Sequence, residues 1–266
     1  MALAQRSETS FLWGVPFFTG LPEDDLNGFT KGARVRNYKK NEYIYHQGDE
    51  ADRFFIVING WVRLYRETID GDESVSSIMS RKDIFGEGII FYQSSSYIFS
   101  AQAVENSRIL EISKTVLRRR AEENPEILKR IMSSVCEKMI RLEAENERLA
   151  HMTAAQRTAC LLLRLSANMV GNGGTFTFPY DKTLAAAQLG MKRETFSRAL
   201  VSLKPLGITV NGSEIKIESF KRLTEFSCRQ CTLSPDQCAG ARYSSRTPCS
   251  NVKKLFPTNN HNSHGA

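Results

Sequence analysis

Three regimes of hydrophobic and polar positions succeed one another along the chain. From about residue 33 to 112 the apolar positions come in short runs, such as Phe54-Phe55-Ile56-Val57, and then alternate with period two through Trp61, Val62, Arg63, Leu64 and Tyr65. Asn59-Gly60 and Asp70-Gly71 punctuate these runs. Both dipeptides accept φ > 0, which predicts a hairpin at 59–60 and a second at 70–71, between 65–68 and 74–79. Gly48-Asp49 marks a further turn, and Pro22-Glu23-Asp24-Asp25-Leu26 reads as the acidic first turn of a short helix. Many short strands with spaced turns predict a small antiparallel barrel or roll.

The second regime has a longer period. Leu128, Val135, Leu142 and Leu149 recur every seven positions, with Ile131 and Met152 in the intervening register, where Lys138 and Glu145 are polar. No Gly or Pro separates Pro125 from Gly171. The spacing predicts a long helix whose narrow stripe meets a copy of itself, with Leu128, Ile131, Val135, Leu142 and Leu149 in the seam. The charged remainder (Glu143, Glu145, Glu147, Arg148) favours that over packing on its own domain.

In the third regime a helix restarts at Thr153, a suitable N-cap, and ends at Gly171-Asn172-Gly173-Gly174. Thr175-Phe176-Thr177-Phe178 reads as a strand. Leu184, Ala185, Ala186 and Leu189 then form one apolar helical face, followed by Gly190 and a second helix supported by Phe196, Leu200 and Leu203. Helix, glycine turn and helix predict a helix-turn-helix, with Asn211-Gly212 turning a hairpin wing behind it. Such a unit lays its second helix in the major groove. Arg193, Glu194, Ser197 and Arg198 share the exposed face; the two arginines suit guanine, Glu194 suits cytosine and Ser197 suits either.

Composition changes the picture at three points. The 266 residues are 41% apolar and 24% charged, ordinary for a globular protein, and no stretch approaches the ~20 apolar residues of a membrane span. Gly14 and Pro16 interrupt the apolar N-terminus, so it does not resemble a signal peptide, and a cytoplasmic protein without membrane partners is expected. The formal charge of +7 is uneven: residues 1–150 carry 21 Lys+Arg and 23 Asp+Glu, residues 151–266 carry 15 and 6. A basic half raises the expectation of a polyanion partner.

The six cysteines are uneven too. Cys136 and Cys160 read as small buried hydrophobes on helices. Cys228-x2-Cys231-x6-Cys238-x10-Cys249 supplies four thiolates, the ligand count of a tetrahedral zinc site or an iron–sulfur cluster. A thiol redox switch and an inert tail are the alternatives. Nearby Arg229, Arg242 and Arg246 favour thiolates, hence ligation or redox reactivity. No nucleotide fingerprint, nucleophile–His pair or second carboxylate cluster supports an enzyme.

The order of parts resembles the CRP/FNR transcription regulators over residues 17–221, through the hairpin-rich roll, Phe85-Gly86-Glu87, the long helix, and Glu194-Thr195-Phe196-Ser197-Arg198 in the winged helix-turn-helix. The resemblance implies an α+β chain. Its parts would be a cyclic-nucleotide-binding-like β-roll over 1–123, a dimerisation helix over 124–152, a winged helix-turn-helix over 153–222 and a cysteine-rich extension over 223–266. It implies a homodimer on palindromic double-stranded DNA, with RNA polymerase as a further partner. Glu194, Ser197 and Arg198 match the base-reading residues of the FNR-like branch, associated with inverted TTGAT-like repeats. Arg193 departs from that branch and resembles the cyclic-AMP-receptor branch.

Glu87 matches the family's ribose-binding acid. The phosphate-binding Arg-Ser/Thr pair should follow about ten residues later, but the chain reads Ser96-Tyr97-Ile98-Phe99, and no Arg occurs between Arg81 and Arg108. An unpaired phosphate in a roll is costly, so cyclic AMP is not expected. The run Ser100-Ala101-Gln102-Ala103-Val104-Glu105 is similar to the FNR and nitric-oxide-responsive branches. The cluster of FNR itself uses N-terminal cysteines, whereas the first cysteine here is Cys136. Haem held by His46 and Met79 is disfavoured, because His46 adjoins the turn Gln47-Gly48-Asp49. A regulator answering a redox or diatomic-gas signal is therefore expected. The alternative is a small-molecule effector in the roll with a structural zinc in the tail.

Overall fold

This computed structural model describes residues 11–31, 33–71, 73–90, 96–169 and 174–227. The chain divides into two compact units, one ending at Lys138 and the other beginning at Met139.

The first unit opens with a 3-10 turn at Pro16–Phe18 and helix α1 (Glu23–Thr30), whose first turn carries Glu23, Asp24 and Asp25. Carboxylates there complement the positive end of the helix dipole. Eight strands follow: β1 (Arg34–Tyr38), β2 (Tyr43–Tyr45), β3 (Arg53–Asn59), β4 (Val62–Glu67), β5 (Glu73–Met79), β6 (Ile84–Phe85), β7 (Ser100–Ala103) and β8 (Ser107–Ser113). They form two four-stranded antiparallel sheets, ordered β1-β8-β3-β6 and β2-β7-β4-β5.

The expected roll is present, with one correction to its wiring. β4 and β5 pair around Asp70-Gly71, from Val62↔Met79 to Glu67↔Glu73. No hairpin forms at Asn59-Gly60: β3 pairs with β6 and β8, and β4 with β5 and β7. The reason lies in β3 itself. Phe54 and Ile56 enter one core, beside Phe18, Leu26 and Ile127, while Phe55 and Val57 enter a second core inside the roll. A strand buried on both faces needs cover on both, so the chain crosses to the opposite sheet. Gly60 makes that crossing at φ 91°, where a Cβ would stand 2.3 Å from Ser107 Oγ.

Helices α2 (Lys114–Glu123) and α3 (Pro125–His151) follow. The long helix spans nearly its full expected length, but its seam is corrected. Ile131 is fully buried in the core of its own unit, with Phe18 and Leu26, and is no seam residue. Apart from Ile140, which lies off this line, the apolar side chains left exposed are Leu128, Met132, Val135, Met139, Leu142 and Leu149, at 39% to 60%. Their spacing alternates four and three residues, with exposed Asn146 filling the one polar place. Two apolar stripes thus lie side by side, one turned home and one outward. Cys136 is exposed on this helix, contrary to expectation, whereas Cys160 is buried as expected.

The second unit contains α4 (Ala154–Met169), β9 (Thr175–Thr177), α5 (Lys182–Gln188), α6 (Arg193–Ser202), β10 (Ile208–Asn211), β11 (Glu214–Ile217) and α7 (Phe220–Ser227). Thr153 Oγ1 accepts the Gln156 N–H at 3.3 Å and Gln156 Oε1 accepts the Thr153 N–H at 2.9 Å, a reciprocal cap that sets the start of α4. The three strands pair in the order β10-β11-β9. Helix α7 was not anticipated. It packs on α4, with Gln156 Nε2 donating to the Phe226 carbonyl at 3.4 Å, and it crosses the expected edge at 222/223. Among the described residues no helix is long and apolar enough to cross a membrane.

Candidate nucleic-acid interface

Asp181 caps α5 by accepting the Leu184 N–H at 2.8 Å. Leu184, Ala185 and Ala186 are buried on its inner face. Gly190 makes the turn at φ 60°, where a Cβ would come within 3.2 Å of Leu149 Cδ2. Helix α6 then starts, anchored by buried Phe196, Ala199 and Leu200. Each large anchor contributes about 1.5–3 kcal/mol relative to exposure.

That anchoring decides which face α6 offers to solvent. Arg193, Glu194 and Arg198 are exposed, as the sequence pattern requires, whereas Ser197 is half-buried. Among the described residues none of these four side chains makes a hydrogen bond or ion pair. At 100° per residue they share an arc of about 140°. Val201 lies within the same arc and is 60% exposed. The sequence reasoning missed it, although its i+4 spacing from Ser197 placed it there. Lys192 caps α6 without a side-chain hydrogen bond, so the first N–H groups are unclaimed by any side chain and suit a phosphate oxygen. Behind the helix, Ile208, Ile215 and Ile217 bury the inner face of the β10–β11 wing, which leaves Lys216 outward.

A second group holds the end of the long helix to this unit. Glu145 Oε1 accepts from Arg164 Nη1 at 2.9 Å and Oε2 from Arg148 Nε at 3.0 Å, with Arg148 Nη2 in ion-pair range of Oε1 at 2.9 Å. Burial alone would raise the Glu145 carboxyl, but the Arg164 charge and the Arg148 hydrogen bond overcome it and hold it at about 2. Arg164 is shifted upward, since the Glu145 charge outweighs its own burial. Glu145 is therefore no mere solvated charge of a dimer helix.

The roll of the first unit contains a comparable buried acid. Glu87 is fully buried; its Oε1 accepts from Ser134 Oγ at 2.8 Å and pairs with Lys138, while Oε2 has no partner among the described residues. Lys138 also donates to the Ile84 carbonyl at 2.9 Å. Ten residues beyond Glu87, Tyr97 stacks on Tyr45 with ring centroids 3.7 Å apart. Its hydroxyl donates to the Arg53 carbonyl at 2.8 Å and accepts the Arg53 N–H at 3.2 Å. His46 is exposed and stacks on Tyr43, while Met79 pairs with Val62 at the end of β5. Among the described residues no group of three or more His, Cys, Asp or Glu side chains gathers to hold a metal ion. Cys228, Cys231, Cys238 and Cys249 lie outside the described residues.

Comparison with known proteins places both units. Residues 35–124 match the cyclic nucleotide-binding domain and residues 156–226 the Crp-like helix-turn-helix domain. The chain is 26% identical over 210 residues to a CRP-like cAMP-activated global transcriptional regulator of Mycobacterium tuberculosis, covering 77% of this chain and 93% of that one. It is 26% identical to the transcriptional activator protein anr of Pseudomonas aeruginosa, covering 82% and 86% respectively. A solved structure described as a candidate cAMP-binding regulatory protein, from Silicibacter pomeroyi, shares 32% identity and a TM-score of 0.62, covering 84% of this chain and 99% of that one.

Proposed function

Since this chain belongs to the CRP/FNR family of transcription regulators, DNA-binding proteins that are not enzymes, we propose that it acts as a homodimer on an inverted TTGAT-like repeat, under a redox or diatomic-gas signal. The observation that carries the operator reading is the solvent face of α6. Arg193, Glu194 and Arg198 stand there without partners over an anchored back, the arrangement that base readout needs. Val201 adds an apolar group suited to a thymine methyl. The exposed stripe from Leu128 to Leu149 supports the dimer, with Asn146 fixing its register. RNA polymerase is the further partner that such a regulator would contact from its operator.

Two observations support a signal other than cyclic AMP. Tyr97, ordered by two hydrogen bonds, stands where a phosphate partner would be needed, and Lys138 already occupies Glu87. The cAMP activation of the mycobacterial relative therefore does not transfer simply. Cys228, Cys231, Cys238 and Cys249 carry the redox reading through their number and spacing. The chain would then belong with the FNR-like and nitric-oxide-responsive branches, the cysteine tail being its own addition. Haem through His46 and Met79 is less favoured, given the exposure of His46.

Two measurements test this. A mobility-shift titration on the inverted repeat should show binding that both Arg198→Ala and sequence scrambling of the repeat weaken. Anaerobic purification should yield iron and sulfide bound through the four cysteines, with operator affinity falling when oxygen or nitric oxide is admitted. Zinc alone would favour a structural tail with an effector in the roll.

A further inference from the structure

The apolar pattern of α3 does not by itself say how the helix is turned about its axis. Ile127 and Ile131 are fully buried in the core of the first unit, while Leu128 and Met132, one residue further on in each case, are exposed. Successive residues differ by about 100° around a helix. Turning α3 by one position would therefore exchange the two pairs for side chains of similar apolar area. The rotation has to be fixed by something other than apolar burial.

A line of donors supplies that. Arg130, Ser134 and Lys138 stand four residues apart, so they share one side of the helix, the side of Ile127 and Ile131. Each is claimed by an acceptor of the first unit. Arg130 Nη1 donates to the Phe17 and Thr19 carbonyls at 3.3 and 2.6 Å. Ser134 Oγ donates to Glu87 Oε1 at 2.8 Å, while Lys138 pairs with the same oxygen and donates to the Ile84 carbonyl at 2.9 Å. Glu87 depends most on this line, because its side chain is 1% exposed and its Oε2 has no partner among the described residues. A helix turned by one position would carry Lys138 away and leave a buried, uncompensated carboxylate, which is strongly destabilising. The 3-10 turn that bears it, Glu87–Ile90, also runs beside the seam: a Cβ at Gly88 would stand 3.9 Å from Val135 Cγ2.

We infer that Glu87 is a positioning residue for the dimer interface: through Ser134 and Lys138 it sets the rotation of α3, and so presents Leu128, Met132 and Val135 to a second copy of this chain. The inference rests on the dimer reading and adds to it the contact that connects the roll to the seam. An acid at this place would bind ribose on the resemblance alone. Here its hydrogen-bonded partners belong to the long helix, so the strength of the dimer depends on Glu87 with no ligand in the roll.

Sedimentation velocity of the full-length protein over a range of concentrations, beside thermal melting followed by near-ultraviolet circular dichroism, tests it. Lys138→Met should melt lower than the parent and weaken the dimer at least about tenfold. The double variant Glu87→Leu, Lys138→Met removes both charges, and apolar replacement of a buried ion pair is often neutral for stability. Its melting temperature should therefore return to near that of the parent, while its dimer constant stays at least about tenfold weaker. A pair that only stabilised the roll would let both recover together. A dimer constant within about tenfold of the parent in the double variant overturns the inference. So does a double variant that no longer melts cooperatively, since the pair would then serve the folding of the roll instead of the rotation of α3. A parent that sediments only as a monomer refutes the dimer reading and this inference with it, whereas a dimeric parent with unaltered variants refutes this inference alone.

Discussion

Arg198 has no partner within its own unit, so removing its guanidinium should leave the fold intact and affect only what it meets outside. Arg198→Ala is expected to lose about 1–3 kcal/mol per half-site in a shift assay and to relax preference at one base position. Uniform weakening across all sequences would instead make it a phosphate contact. Glu145 is the opposite kind of residue, because its role is internal. Its carboxyl is held at about 2 against an ordinary 4.5, so its contribution to stability is complete above pH 4.5 and is lost as pH falls towards 2. Glu145→Gln should therefore melt lower than the parent near neutrality, with the gap closing over that window. Glu145 is 37% exposed by side chain and solvent screens the pair. The expected gap is accordingly a few degrees at most, and a gap that persists undiminished at about pH 3 would exclude this origin.

At the scale of elements, sequence periodicity located α1, α3 to α6 and the wing, missed α2 and α7, and misjudged which side some elements turn. The turn at Asp70-Gly71 was legible because its flanking strands are buried on one face only. Asn59-Gly60 was not, because Phe54, Phe55, Ile56 and Val57 are buried on both faces and send the chain across to the other sheet. The long helix shows the same limit. A heptad count cannot tell a stripe facing home from one facing outward when both are apolar, and Ile131 sits one residue from Met132. The recognition face fared better, since Phe196 and Leu200 leave only one orientation for α6. The two stripes can be separated experimentally. Ile131→Ala should cost about 2–5 kcal/mol of roll stability without changing the mass measured by light scattering. Met139→Lys should do the reverse, giving monomers that still melt cooperatively; loss of cooperative melting in Met139→Lys would return that residue to the core.

For the whole molecule, the question is which cations serve DNA. Residues 151–227 carry 10 Lys+Arg against 5 Asp+Glu, and residues 228–266 carry 5 against 1. The tail's Arg229, Arg242 and Arg246 are interleaved with Cys228, Cys231, Cys238 and Cys249, where a guanidinium stabilises a thiolate at least as directly as a distant phosphate. The winged unit, by contrast, has Lys192, Lys204 and Lys216 exposed around its recognition helix. Each phosphate neutralised adds about 0.9 to the slope of log affinity against log salt. A chain ended after Ser227 is therefore expected to keep its salt slope within about one unit of the parent, while losing any response of operator affinity to oxygen or nitric oxide. A slope reduced by several units would make the tail a DNA-binding arm. A full response retained by the shortened chain would move the sensor out of the cysteines and into the roll.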